Sequence, residues 1–155
     1  MASKRPRRGA SPRFSLVALP AVLEELKEVP ANIRGLVKGH FRKLASEGCR
    51  AAGYSLSGDE PWPKLCSKNI ADDWRVIVAF QGDSSVVVIK VALHNDEHDP
   101  YAEIARELNV SISTAPRTKP ACCEDGVART LDQEVIDRLE QSFRHLRGAE
   151  NPLKF

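Results

Sequence analysis

Arginine, histidine and tyrosine, with two lysines upstream, flank two apolar runs in the middle of the chain. Arg75 follows Trp74 at the start of Trp74–Phe80, His94 ends the run that begins at Val86, and Tyr101 comes shortly after. Lys64 and Lys68 precede the first run. A guanidinium grips phosphoryl oxygens with a planar fork of donors, and an ammonium adds a point charge. An imidazole exchanges protons near neutral pH, and a phenol can stack on a base or orient a hydroxyl. Held at one rim, such groups could stabilise developing negative charge and exchange a proton through side chains alone, so neither a metal nor a cofactor is expected.

The set can act together only if the two runs are neighbours. Both are rich in β-branched residues, and Gln81-Gly82-Asp83-Ser84 between them has the composition of a turn. An antiparallel hairpin follows, with the start of one strand beside the end of the other. Val86–Leu93 is apolar enough to be a central strand buried on both faces. Trp74, Lys68 and Asn95 border the same rim. Simpler roles compete for each residue. Arg75 can pair with Asp72 or Asp73, His94 can be a plain loop histidine, and Tyr101 can be a core residue of a short helix. His94 and His98 with Asp96 and Asp99 could instead bind a metal.

Around the hairpin, Arg13–Ala18 is compatible with a strand. Leu19, Val22, Leu23 and Leu26 repeat at helical spacing, giving a short helix that stops near Val29-Pro30. A second helix carries Ile33, Leu36, Val37, His40, Phe41, Leu44 and Ala45 on one face and ends at Gly48. His40 in that stripe reads as a core or partner-contact residue. Residues 48–63 read as a loop, and Lys64-Leu65-Cys66 after it as a weaker strand-like piece ahead of the two runs. Asp99-Pro100 opens another short helix, with a capping carboxylate and a proline where no amide donor is needed. After an irregular connection over 109–128, Thr130 and Gln133 suggest a capping box for a last helix with Val135, Ile136, Leu139, Phe143 and Leu146 on one face. The fold class is therefore α+β, with an N-terminal strand and helical hairpin packed on a small, mainly antiparallel sheet and an added C-terminal helix.

The stretch KLCSKNIADDWRVIVAFQGDSSVVVIKVALHNDEHDPY, from Lys64 to Tyr101, resembles the C-terminal half of RelE/ParE-family toxins. The shared features are a Lys-Leu pair, a strand opening aromatic-Arg-Val, a turn, an apolar strand ending in a basic or His residue, and a later Tyr. With the preceding strand and helices, the resemblance covers residues 13–108. It leaves 1–12 as a flexible basic arm, and 109–155 as a connection and helix packing on the same domain. The resemblance implies cleavage of messenger RNA on the ribosome, held in check by a cognate antitoxin. Under it, a ribose 2′-hydroxyl attacks its own phosphate and leaves a 2′,3′-cyclic phosphate. Arg75 holds the scissile phosphate, Lys64 matches a basic residue before the strand and shares the charge, and His94 and Tyr101 take the strand-end and helix positions, His94 as acid or base. Trp74, Lys68 and Asn95 are then the expected RNA contacts. Asn95 stands where several members carry a second arginine. Two rivals share the fold: a ParE-like inhibitor of DNA gyrase without nuclease activity, and a non-catalytic interaction module.

Composition narrows the setting. With 42% hydrophobic and 28% charged residues the chain is that of a globular protein rather than a disordered one. Five of the first thirteen residues are Lys or Arg, while the whole chain carries only +2, so a basic arm precedes a mildly acidic body. Pro20, Glu24 and Glu25 interrupt the apolar stretch after Phe14, against a secretory signal, and no run is long enough to span a bilayer. A cytoplasmic protein is expected. Its four cysteines, Cys49, Cys66, Cys122 and Cys123, are accordingly expected to be reduced, and they lack the paired spacing of a zinc site.

Overall fold

A computed structural model describes residues 13–56, 61–82, 84–95, 97–109, 120–123, 126–147 and 153–154, the stretches 144–147 and 153–154 by backbone alone. The expected basic arm over 1–12 lies outside the described residues, as does much of 109–128. Strand β1 is Ser15–Ala18, helix α1 Pro20–Glu28 and helix α2 Ala31–Glu47. A 3-10 turn over Gly48–Ala51 leads to β2 (Tyr54–Ser55), and a second over Trp62–Lys64 leads to β3 (Cys66–Ala71). Then come β4 (Trp74–Gln81), β5 (Ser85–Leu93), α3 (Pro100–Leu108), α4 (Gln133–Arg147) and β6 (Leu153–Lys154). The strands form one mixed sheet in the order β2-β3-β4-β5-β1-β6. The α+β class holds, but the sheet has two more strands than the sequence suggested, β2 and β6.

The central hairpin follows from its residues. β4 and β5 pair antiparallel, with Trp74 opposite Leu93 and Gln81 opposite Ser85. Gly82, at φ +60°, takes the left-handed turn conformation that glycine adopts without cost. The tighter β3–β4 turn uses Asp72 and Asp73, both at positive φ (49° and 67°). Two left-handed residues in succession give the primed turn whose twist matches flanking strands, and aspartate tolerates that conformation better than most side chains. β1 lies parallel to β5, Ser15 opposite Ser85 and Ala18 opposite Val88, with the α1–α2 hairpin as the crossover's first part.

Beyond Val88, no strand among the described residues covers that edge of β5, and α1 takes over. Buried Glu25 accepts the Val91 backbone N–H through Oε1 at 3.0 Å and the Lys90 ammonium through Oε2 at 2.9 Å. Lys90, only 2% exposed, also meets Glu103 at 3.1 Å and sits 4.4 Å from the centre of the Phe143 ring. A central strand that reads as wholly apolar thus carries a buried cation, held by two carboxylates and a ring face.

Helix α2 buries Ile33, Val37, His40, Phe41 and Leu44, but Leu36 is half exposed. Its stop at Gly48 is as expected, at φ +62°, and a side chain there would strike the Phe14 ring. The turn between the helices is fixed by Arg34, which donates to the carbonyl oxygens of Val29 (2.9 Å) and Leu26 (3.2 Å) at the end of α1.

Two expectations are corrected here. The last helix begins at Gln133, and the Asp132 carbonyl accepts from Val135 and Ile136, so Thr130 is not its cap. Thr130 instead makes a parallel bridge to Phe80, and Leu131 donates to the Phe80 carbonyl at 2.7 Å. The cysteines are not free: Cys49 bonds Cys123 and Cys66 bonds Cys122. The backbone brings them together, because Ala121 bridges to Tyr54 and Cys122 donates to the Gly53 carbonyl, laying 120–123 along the β2 edge. Cys123 then reaches the turn after α2, and Cys122 the start of β3.

Candidate functional site

On β3 and β4, Asn69 faces Arg75 and Ser67 faces Ile77, so alternation puts all four on one face of the sheet. Arg75 opposes Ala92 on β5, and His94, two residues further, lies diagonally across on the same face. His94 donates its backbone N–H to the Asp73 carbonyl at 2.9 Å, which extends the pairing to the hairpin's open end. Helix α3 begins there because Asp99 accepts from the backbone of Tyr101 (3.0 Å) and Ala102 (3.1 Å) through one carboxylate oxygen. That start aims Tyr101 back over the sheet.

Three expected groups therefore meet. The His94 and Tyr101 rings are in edge-to-face contact at 4.9 Å, and the positive charge of Arg75 acts on the Tyr101 phenol. Arg75 is neither sealed in the core nor free. Its Nη1 donates to Asn69 Oδ1 at 2.8 Å, its Nη2 lies 3.9 Å from Asp73, and its side chain is 15% exposed. The Asp73 contact expected as the simpler role is present, but a neutral amide makes the short bond. His94 is about one-third exposed, with Nε2 3.9 Å from the Asp99 carboxylate, too far for a direct hydrogen bond.

Tyr101 differs from the expectation. It is a core residue, 3% exposed, with its hydroxyl 2.7 Å from Ser67 Oγ. Burial foremost, helped by a hydrogen bond with Tyr54, pushes its hydroxyl up to about 12, against the opposing pull of Ser67 and Arg75. The phenol stays protonated at neutral pH and cannot stack on a base. What it does is brace the His94 ring from beneath.

The lysines lie elsewhere. Lys64 ends the 3-10 turn before β3, beyond the point where Cys66 faces Val78, whereas Arg75 faces Asn69 at the far end of that strand. Several residues at about 3.3 Å each separate them, so Lys64 does not join Arg75. Lys68 neighbours Asn69 and so points to the opposite face, toward His40 of α2. Asn95 is exposed and its side chain accepts from the backbone of Glu97 (2.9 Å) and His98 (2.8 Å), closing the turn before α3. Trp74 is half-buried beside a cleft of about 440 Å³ that Glu28, Glu97, His98, Asp99 and Glu103 also line. Among the described residues no three His, Cys, Asp or Glu side chains are grouped to hold a metal, and Asp96 lies outside them.

Sequence reasoning missed Asn69, Ser67 and Tyr54, the residues that hold Arg75 and Tyr101. The signal for two of them was available. Ser67 and Asn69 are polar at alternate positions of a strand, on the side that carries Arg75. No protein-family profile matches the chain, and no curated protein matches it. Among the described residues no helix is long and apolar enough to cross a membrane.

Proposed function

We propose that this chain is the toxin of a RelE/ParE-type toxin–antitoxin pair, an endoribonuclease that cuts messenger RNA on the ribosome. The observation that carries the reading is the placing of Arg75 and His94 on one sheet face at the open end of the hairpin, each held by a neighbour that keeps its own charge neutral. The order of strand, helical hairpin and three antiparallel strands, with the first strand parallel to the last of the three, supports it further. In this mechanism Arg75 holds the non-bridging oxygens of the scissile phosphate. The 2′-oxygen bonds to phosphorus as the bond to the 5′-oxygen breaks. His94 takes the proton from the 2′-hydroxyl, and the leaving 5′-oxygen takes a proton from solvent water. Tyr101 is a positioning residue, and neither Lys64 nor Asn95 is required. Controlled expression in a bacterium, with mapping of message ends, tests this. The parent should arrest growth and leave new ends, and Arg75→Ala and His94→Ala should each remove both effects. Variants as toxic as the parent would refute the assignment.

A second reading rests on the acidic cleft beside the rim, where Glu97, Asp99 and Glu103 would repel a phosphate backbone. It suits a protein partner with a basic surface, as for a gyrase inhibitor on the same fold. Inhibition of supercoiling by purified protein without new message ends would favour it.

A further inference from the structure

A groove of about 600 Å³ runs between α2 and β3, on the sheet face opposite Arg75. Lys43, Arg50 and Lys68 line it, and none of them pairs with an acid among the described residues. Glu47 is the acid in the lining, so the groove carries an excess of positive charge. Three like charges in one concavity repel one another unless an anion joins them.

A second observation is independent of charge. His40 lines the groove, is 6% exposed, and its Nε2 has no hydrogen-bond partner. Burial, with the charges of Lys68 and Lys43, holds its imidazole down at about 4, so the ring is neutral near pH 7. A buried polar atom left unpaired is costly, and an occupant of the groove can supply the missing partner.

The groove also has room and an apolar wall. Gly35 and Gly39 leave the α2 surface bare, since a side chain at Gly35 would meet nothing within 4 Å. Leu36, 52% exposed, and Ile70 face the same space. From Leu36 to Lys43 along the helix is about 10 Å at 1.5 Å per residue. That distance separates a flat apolar group from the cations on the scale of a nucleotide.

We infer that the α2–β3 groove is a nucleotide-binding site, in which Lys43, Arg50 and Lys68 hold a phosphate and Leu36 and Ile70 contact the base. It lies across β3 from the Arg75–His94 rim, with Asn69, which accepts from Arg75, reached from both, and it does not depend on nuclease activity. The nucleotide is either a free monophosphate or one unit of an RNA strand.

Calorimetric titration of the full chain at low salt tests it, with inorganic phosphate, adenosine 5′-monophosphate, a short 2′-deoxy oligonucleotide that cannot undergo 2′-hydroxyl attack, and an acidic peptide as ligands. The monophosphate should bind more tightly than inorganic phosphate, and more weakly as salt is raised. The exposed double substitution Lys43→Ala/Lys68→Ala should weaken it about tenfold or more. Gly39→Leu should block it while leaving the helix intact, because leucine favours helix more than glycine does. Binding of the monophosphate should persist in Arg75→Ala, which removes the rim's own phosphate contact. An oligonucleotide that binds better than the monophosphate identifies an RNA strand as the source, and equal or weaker binding identifies the free nucleotide. The inference fails if no phosphate ligand binds, if binding survives Gly39→Leu, if Arg75→Ala abolishes it, or if the acidic peptide binds best.

Discussion

Replacing Lys90 with Met removes a cation that is 2% exposed and contacts Glu25 at 2.9 Å, Glu103 at 3.1 Å and the Phe143 ring. Methionine fills similar volume, so little cavity forms and the loss is mainly electrostatic. Glu25, itself 3% exposed at the side chain, is then left in the core without the lysine's charge. Breaking a buried pair by removing one partner costs about 3–5 kcal/mol. For a chain of this size that lowers Tm by roughly 10 °C. Glu103 is 29% exposed, so solvent screens it, and Glu103→Gln should cost less than about 1 kcal/mol. Adding Glu25→Leu to Lys90→Met should recover only part of the loss, because the Val91 N–H also loses its acceptor at 3.0 Å. Urea unfolding of the parent, both single variants and the double variant measures all of this. If Lys90→Met costs no more than Glu103→Gln, the buried charge is not what holds α1 on the edge of β5, and the reasoning fails.

Stability should also fall between pH 7 and about pH 4 through His40. Its folded value lies near 4, below the ordinary 6.5, so the unfolded chain binds the proton first. The contribution is complete above about pH 6.5, falls as pH drops toward 4, and reaches about 3 kcal/mol in all. Urea unfolding across that range should show a fall in the parent that is reduced in His40→Gln, and equal slopes would refute it. Reduction by a phosphine should destabilise the protein. The bond between Cys49 and Cys123 alone closes a long loop worth about 4 kcal/mol. Because Cys122 and Cys123 are adjacent, whichever bond forms second closes little more than the stretch from Cys49 to Cys66 and adds less. A Tm unchanged by reduction would show that the two bonds are dispensable.

The parts of this fold that could be read from sequence are those where local chemistry and tertiary packing agree. The β4–β5 hairpin shows in its β-branched runs and turn, α2 in its stripe and Gly48, and α3 in Asp99-Pro100. What escaped depends on contacts far apart in the chain. Val86–Leu93 reads as a strand buried on both faces, but how such a strand holds Lys90 shows only once the crossover brings Glu25 to it. The cysteine pairs depend on residues 120–123 returning to the β2 edge, which no periodicity announces. At the site, strand alternation was enough to put Arg75 near His94. Lys68, expected at the same rim, is excluded only by the register of β3, because a residue next to Asn69 faces the other way. Tyr101 could not be settled from sequence, since helix spacing does not reveal how deeply its first turn sits on the sheet.

The parallel pairing of β1 with β5 sets an order of events during synthesis. Ser15 cannot find its place beside Ser85 until nearly half the chain more has been made. At roughly 5–20 residues per second, the strand and its helical hairpin wait several seconds with their apolar faces uncovered. During that interval the nascent chain offers a greasy helical pair with no sheet beneath it, and a chaperone or an early-bound partner meets a different surface from the one the finished protein presents.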